Sequence, residues 1–186
     1  MIGVIDESTP FCENGRVAYS LALVVFPKVD SDNLRWDLSN ILNRKRPFHW
    51  ADEGDRVRSN LISNMTKFPI RVHVCAALTS SKQQEEARRS LFSERLLPSM
   101  AFEGVTDLLI EQRSAAQDAK DRLLVRDWCR SIRAKMPSIV HVGKENPFTW
   151  FADAASGIWS DNLLGRGDGS LSLLANNQKL IHAWWE

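Results

Sequence analysis

The order of strand-like and helix-like segments constrains the fold of this chain more than any single motif. In residues 70–78 apolar and polar side chains alternate, as in a strand with one buried face, and residues 17–26 are largely apolar. Segments in which apolar residues recur every three or four positions separate the strand-like segments. Because helices that connect strands pack on the faces of the sheet, this order predicts an α/β protein with a mixed β-sheet and helices on both faces.

The predicted elements cover most of the chain. Strands are predicted at residues 1–6, 17–26, 70–78, 105–111 and 137–142. Asn14-Gly15 is typical of a hairpin turn, which would make the first two strands antiparallel. Helices are predicted at about residues 30–42, 52–65, 81–100, 117–135 and 146–164, and Leu124, Trp128 and Ile132 are spaced to face the core in the fourth. Residues 165–169 are predicted to be a flexible break, followed by a tail, in a single domain of residues 1–186.

Composition excludes several classes of protein. The formal net charge of +1 provides no global field that would attract a nucleic acid or an anionic membrane, so any such binding needs a local patch. Cys12, Cys75 and Cys129 are odd in number, widely spaced and in no C-x-x-C pair, which favours buried, reduced thiols over metal ligation. The N-terminus lacks a basic leader, and the longest apolar run, at residues 21–26, is far below the ~18 residues that span a bilayer. We therefore expect a cytoplasmic protein with no membrane partner.

Common catalytic motifs are absent. The sequence has no G-x-x-x-x-G-K-[ST], no H-E-x-x-H and no G-x-S-x-G motif. The glycine-rich residues 165–169 follow a predicted helix rather than a strand, which argues against a dinucleotide-binding loop.

Several acidic residues occupy positions where α/β proteins form sites. Asp6 and Glu7 end the first predicted strand, and Glu111 ends a later one. Asp153 lies in the last long helix among alanine, serine and glycine residues, which would let that helix approach the strand ends closely. Each acid taken singly is also compatible with a helix cap or a solvated group.

Carboxylates that meet in a fold repel one another, and a cation between them relieves that repulsion. Mg²⁺ and Mn²⁺ prefer oxygen ligands and retain positions for water and phosphate oxygens. Such ions can activate a water for attack on phosphorus and stabilise the leaving oxygen of a phosphodiester. The carboxylates thus suggest a divalent-metal site for phosphodiester chemistry.

The residues that carry these acids resemble a known family. Asp6-Glu7-Ser8 at the end of the first strand, the apolar strand that follows, and Ala152-Asp-Ala-Ala-Ser-Gly157 in a late helix are similar to the bacterial domain-of-unknown-function family numbered 3800, over residues 6 to about 165. That family is similar to the RNase H-like superfamily. The resemblance implies an RNase H-like fold in which Asp6, Glu111 and Asp153 hold the metal ions, with Glu7 close by. Asp is more typical than Glu at the position of Glu111.

Three further residues are candidates with open alternatives. His49 would act as a proton shuttle or position the substrate, and Glu53 would add a carboxylate or favour the positive end of a helix. Arg113 follows Glu111 by two positions, so both side chains share a face if the strand continues, and Arg113 would then grip a phosphate or pair with an acid. Asp118 and Asp121 are interpreted as first-turn acids that complement the helix dipole.

The fourth predicted helix carries a row of arginines. Arg122, Arg126, Arg130 and Arg133 fall at helical spacing and would either follow a nucleic-acid backbone or form a solvated face balanced by Asp121 and Asp127. The cluster at residues 43–46 has the same two interpretations. Trp184 and Trp185 would pack in the core or stack on bases.

Two hypotheses of function follow. The first is a nuclease or related phosphodiesterase that depends on Mg²⁺ or Mn²⁺, with Asp6, Glu111 and Asp153 as ligands and Glu7, His49 and Arg113 as assisting groups. The second is a non-catalytic module that binds nucleic acid or a protein partner through the arginine row.

Overall fold

The computed structural model describes residues 1–10, 16–28, 40 and 46–185 of the chain, and the side chains of residues 182–185 are outside this description. The predicted hairpin turn at residues 14–15, Cys12 and the basic residues 44–45 therefore lie outside the described residues, as do the side chains of Trp184 and Trp185. Of the predicted helix at 30–42, only residue 40 is described. No helix in the described part of the chain is both long and apolar enough to cross a bilayer.

Six strands form one mixed sheet within the described residues. They are β1 (Ile2–Ser8), β2 (Arg16–Phe26), β3 (Arg71–Ser80), β4 (Asp107–Glu111), β5 (Ser138–Val142) and β6 (Leu180–Trp185). Their order across the sheet is β5-β4-β1-β2-β3-β6. β2 is antiparallel to both of its neighbours, as predicted for β1 and β2, whereas the β1–β4, β4–β5 and β3–β6 pairs are parallel. The C-terminal ends of β1 and β4 consequently lie side by side.

Helices cover both faces of this sheet. They are α1 (Asp55–Met65), α2 (Gln84–Leu91), α3 (Leu97–Phe102), α4 (Ala115–Ser131), α5 (Pro147–Leu163) and α6 (Ser170–Asn176). A wider π-type turn at Phe92–Leu96 joins α2 to α3, and single 3₁₀ turns occur at Trp50–Asp52 and Ser81–Gln83. The predicted α/β architecture is confirmed.

The core is divided between the two faces because successive side chains of each strand point to opposite sides. On one face, β1 and β2 pack through Val4, Ala22 and Val24 against α1, α5 and α6. On the other, Ile5, Leu21 and Leu23 pack against α2, α3 and α4. We call these the α5 face and the α4 face.

Two predictions about individual elements were wrong. The fully buried stripe of α4 consists of Asp118, Asp121, Val125 and Cys129. The predicted residues Leu124 and Trp128 pack against this core only partly, and Ile132 is 49% exposed. The spacing of apolar residues did not predict this buried face, because two of its positions, Asp118 and Asp121, are acidic. The segment after residue 165, predicted to be a break and a tail, contains α6 and the edge strand β6, which pairs with β3.

Small residues let α5 lie close to its neighbours. A Cβ atom on Gly157 would lie 2.3 Å from both Cγ and Cδ1 of Trp50. The Trp50 indole instead packs directly on the helix backbone, and its Nε1–H donates to Asp161 Oδ2 at 2.7 Å. Arg58 stacks over the same ring, 4.5 Å from its centroid, and donates to the Trp50 carbonyl. The 3₁₀ turn at Trp50 is thereby fixed against the middle of α5.

We expect Gly157→Ala to lower the free energy of unfolding by about 1–3 kcal/mol, because the new methyl group overpacks the contact with Trp50. The higher helix propensity of alanine would by itself raise the free energy of unfolding by roughly 0.5–1 kcal/mol. Urea denaturation provides the measurement. Gly54→Ala is the matched control, since no atom lies within 4 Å of a Cβ at that position; equal stability of both variants would contradict the expectation.

Candidate functional site

Asp6 and Glu111 lie next to each other at the ends of two central strands. Ile5 of β1 pairs with Ile110 of β4 in parallel register, so the residue after each one is also a neighbour. Strand alternation directs both carboxylates to the α5 face. Asp6 is 4% exposed, and the neighbouring carboxyl of Glu111 contributes to a rise in its pKa.

Asp153 approaches the same place from α5. It lies in the middle of the helix, among Ala152, Ala154 and Ala155, and it is 7% exposed. Its Oδ2 atom accepts a hydrogen bond from the backbone N–H of Trp50 at 2.7 Å. The packing of Trp50 against Gly157 thus supplies the partner that orients Asp153.

The pKa shifts of Asp6 and Asp153 reflect burial and the presence of Glu111 nearby. Burial, the adjoining carboxyl of Glu111 and the charge of Asp153 raise the pKa of Asp6 well above its ordinary value, while the Glu7 N–H opposes the shift. Burial, assisted by the charge of Glu111, also raises the pKa of Asp153 to about 6. The Trp50 N–H and the side chains of His49 and Lys144 lower the pKa of Asp153 and so oppose this shift. Asp6 and Asp153 are therefore both destabilised as anions, first by burial and then by neighbouring carboxylates.

Two basic side chains border this acid cluster, which consists of Asp6, Glu111 and Asp153. Lys144, in the loop after β5, places its Nζ 3.4 Å from Glu111 Oε1, and its side chain is 48% exposed. His49 precedes the 3₁₀ turn at Trp50, and its side chain is 39% exposed, with Nδ1 3.4 Å from Asp52. Sequence reasoning missed Lys144 because its spacing from the acids carries no motif.

The acid cluster matches the donor chemistry of a hard divalent cation, since it consists of buried carboxylate oxygens with little compensating charge. Among the described residues, however, no group of three or more histidine, cysteine or acidic side chains stands ready to hold an ion. Burial and the neighbouring carboxylates raise the pKa of Asp6, so the ionised cluster is unfavourable without a counter-charge. A divalent cation would supply that charge.

Glu7 does not belong to the acid cluster in this structure. It follows Asp6 by one residue and therefore points to the α4 face, where its Oε2 accepts hydrogen bonds from the Tyr19 hydroxyl and the Arg88 guanidinium. Arg88 also donates to both carboxylate oxygens of Asp121, at 3.2 and 2.9 Å. Sequence reasoning missed Arg88, whose buried role only the packing of α2 on the sheet reveals.

Arg113 likewise points away from the acid cluster. Arg113 was predicted to share a face with Glu111 only if the strand continued past Glu111. The strand β4 ends at Glu111. The Arg113 guanidinium donates to Asp121 at 3.1 and 3.2 Å and to Glu85 at 3.2 Å, and its backbone N–H donates to Asp118. Arg113 therefore pairs with acids, as one of its two interpretations held.

The remaining candidates lie outside the acid cluster. Glu53 is buried beside Arg46, with a closest contact of 3.3 Å. Asp118 lies in the first turn of α4, as interpreted, and both Asp118 and Asp121 are buried partners of the arginines described above. Arg122 and Arg130 are exposed on α4, and Arg126 pairs with Asp127. Arg133 has a φ of 56° and follows the end of α4 at Ser131, so it is not at helical spacing with the others.

Comparisons with known proteins identify the fold. No family model matches the chain, and no curated protein matches it, so membership of the family numbered 3800 stays a prediction. The RNase HII structure from Archaeoglobus fulgidus, solved in complex with PCNA, aligns with a TM-score of 0.53 and 15% identity, over 96% of this chain and 78% of that one. The ribonuclease H2 of Pyrococcus horikoshii OT3 aligns with a TM-score of 0.47 and 13% identity, over 96% and 77% of the two chains. Together with the mixed sheet and its two helical layers, the first alignment shows that this chain has an RNase H-like fold.

Proposed function

We propose that this protein is a divalent-metal-dependent nuclease or phosphodiesterase that acts on nucleic acid. The observation that carries the proposal is the meeting of Asp6, Glu111 and Asp153, from β1, β4 and α5, on one face at the ends of two parallel strands. Open α/β sheets place their sites at such strand ends. The likeness to an RNase HII structure adds support at the level of the fold.

Asp6, Glu111 and Asp153 would hold Mg²⁺ or Mn²⁺ through their carboxylate oxygens. The cation would activate a water for attack on phosphorus and stabilise the leaving oxygen. The Trp50 N–H keeps the Asp153 carboxylate oriented, and burial of Asp6 excludes bulk water from its side of the site.

His49 and Lys144 complete the proposed site from its solvent side. Both side chains are partly exposed and border the acids, so each can meet a substrate that enters from solvent. The ammonium group of Lys144 would contact a phosphate oxygen, and the imidazole of His49 would transfer a proton at the reacting oxygen. Arg88 and Arg113 take no part in the proposed site, because Arg88 pairs with Glu7 and Arg113 pairs with Asp121 on the α4 face.

We expect Asp6→Asn to abolish Mg²⁺-dependent cleavage of labelled DNA, RNA or hybrid substrates, because it removes a central carboxylate ligand while preserving shape. The loss should exceed about 100-fold, the scale of a lost electrostatic catalytic group. Asp107→Asn is the matched control, since Asp107 lies at the opposite end of β4 and pairs with Lys28. Equal cleavage by wild type and Asp6→Asn would show a contaminating nuclease and remove the proposal.

The acid cluster should also make stability depend on pH and on the cation. A carboxyl whose pKa rises on folding contributes stability that is complete below its ordinary pKa and is lost as the pH rises through its folded pKa. For Asp153 that window runs from 3.8 to about 6, and Asp6 shifts in the same direction. Relative to Asp153→Asn, the wild type should therefore lose free energy of unfolding between pH 4 and pH 7 in EDTA. Mg²⁺ should raise the free energy of unfolding of the wild type more at pH 7.5 than at pH 5. Urea denaturation provides the measurement. A difference between wild type and Asp153→Asn that does not change with pH would contradict the expectation.

The exposed arginines of α4 favour a second candidate function, a non-catalytic module that binds nucleic acid. Arg122 and Arg130 reach solvent on the α4 face, away from the acid cluster. This candidate requires binding without cleavage and no thermal shift with Mn²⁺.

We expect the double substitution Arg122→Glu and Arg130→Glu to weaken nucleic-acid binding and flatten its dependence on salt, because two backbone contacts would be lost. Fluorescence anisotropy at several salt concentrations provides the measurement. Arg56→Glu with Lys67→Glu, which changes exposed residues at α1 and its C-terminal end, is the control of equal charge. Identical salt slopes for the two double variants would exclude the α4 arginines as the contact surface.

A further inference from the structure

The strand β5 forms one edge of the sheet, and its outer side has no partner strand among the described residues. The N–H of Ser138 donates to the chain just before β4, and the C=O of Val142 accepts from the chain just after it. Alternate residues of β5, starting with Ser138, therefore bond to β4. In a parallel pair the main-chain groups of the intervening residues point the other way. The N–H and C=O groups of Ile139 and His141 consequently point out of the sheet.

The edge at β5 lacks the features that protect most edge strands from pairing. Such strands usually carry a lysine, a proline or a bulge. The strand Ser138–Val142 contains neither lysine nor proline, and it pairs with β4 without a shift in register. At the opposite edge, by contrast, the pairing of β6 with β3 has a register shift between Val72 and His73. The outer side of β5 is therefore the better template for another strand.

The residue at the centre of β5 is apolar and exposed. Val140 pairs with Leu109, which packs on the core of the α5 face, so the side chain of Val140 points to that face as well. Val140 is 48% exposed, and Met136, in the chain that leads into β5, is 43% exposed. A strand paired to the outer side of β5 would remove part of this apolar surface from water, which favours association.

A second copy of β5 complements this edge when the two strands run antiparallel. With Val140 facing Val140 of the second copy, the two strands overlap along their whole length. Ile139 of each copy then faces His141 of the other, and the outward main-chain groups of each such pair bond to one another. A shift of one residue would place these groups opposite groups that already bond to β4. The alternation of bonding along β5 therefore sets the register.

The charges at the two ends of β5 fit the same arrangement. Lys135 and Glu145 are exposed, and neither forms an ion pair within the described part of the chain. A Cβ atom on Gly143 would lie 2.2 Å from Glu145 Oε2, so this carboxylate lies beside the end of β5. Antiparallel strands bring the start of one β5 to the end of the other, which places Lys135 near Glu145 of the second copy. Lys144, at the same end, is held by Glu111.

We propose that two copies of this chain associate through their β5 strands, antiparallel about a two-fold axis at Val140, and form one continuous sheet. The inference is independent of the cation and of the proposed function. A two-fold axis of this kind is perpendicular to the sheet, so the α5 faces of both copies lie on the same side. Because the strand is short, the contact belongs to the small, transient class of interface, and the association is weak.

Disulfide cross-linking tests the register of this pair in the full chain. We expect Val140→Cys, in a background with Cys12→Ser, to form a disulfide-linked dimer with oxidised glutathione, because the Cα atoms of a non-hydrogen-bonded pair lie about 4.5 Å apart. The remaining cysteines, Cys75 and Cys129, are buried. Gel electrophoresis without reductant provides the measurement.

Ser138→Cys in the same background is the matched control, because Ser138 is exposed and lies on the same face as Val140. In the proposed register it faces Val142 of the second copy, and the two Ser138 Cα atoms lie about 14 Å apart, too far for a disulfide. Ser138→Cys should therefore cross-link only when it is mixed with Val142→Cys. Equal cross-linking of Val140→Cys and Ser138→Cys, each alone, would overturn the inference.

Sedimentation equilibrium tests the association of the unmodified chain. We expect the average mass of the wild type to rise with concentration and Val140→Lys to remove that rise, because two lysines would face each other at the axis. Ile181→Lys changes an exposed residue of the opposite edge and should keep the rise. A rise that persists in Val140→Lys would overturn the inference by placing the contact elsewhere. A wild type that stays monomeric at every concentration would also overturn it, and would leave β5 to a strand of another protein.

Discussion

The close packing of α5 on the centre of the sheet is the constraint on which the rest of the structure depends. Ala152, Ala154 and Ala155 remove the side-chain bulk that would hold the helix away from β1 and β2. Ser20 of β2 then reaches the helix, donating to the Ser156 carbonyl at 3.1 Å and meeting the Ser160 hydroxyl at 2.6 Å. Because α5 packs closely on the sheet, the short side chain of Asp153 can interact electrostatically with Asp6 and Glu111 on the strands.

The period of a β-strand separates two ionic systems that are neighbours in sequence. Asp6 and Glu7 are consecutive, yet the first lies among acids and the second in a network in which Arg88 and Arg113 pair with acids. The sheet between them is the low-dielectric layer that keeps these systems apart, because Ile5 and Leu23 fill the α4 face and Val4 and Val24 fill the α5 face. The fold therefore pairs the acids on the α4 face with arginines and leaves the acids on the α5 face without equivalent partners among the described residues.

The sequence predicted the framework of this protein better than its contacts. Strand-like alternation and helix-like spacing placed β1 to β5 and located α5 with its small residues, because burial on a sheet face imposes those periods. The same reasoning misplaced the buried stripe of α4, since Asp118 and Asp121 are buried through arginines from distant segments. It also missed β6, whose pairing with β3 depends on a partner about 110 residues earlier in the chain.

Sequence reasoning on the site had a similar limit. Asp6, Glu111 and Asp153 were expected to meet because strand ends and a small-residue helix place them at one edge. The partners that decide the role of each neighbouring acid or base, Trp50 for Asp153, Arg88 for Glu7 and Asp121 for Arg113, come from elements far away in the chain. Their identity depends on tertiary packing, which leaves no local pattern.

The contact between Gly157 and Trp50 also has an evolutionary consequence. Because the indole occupies the volume of any larger residue at position 157, the two positions are sterically coupled across more than 100 residues of sequence. In related chains, a side chain at position 157 is compatible with this packing only if a smaller residue replaces the indole. Positions 50 and 157 should therefore covary.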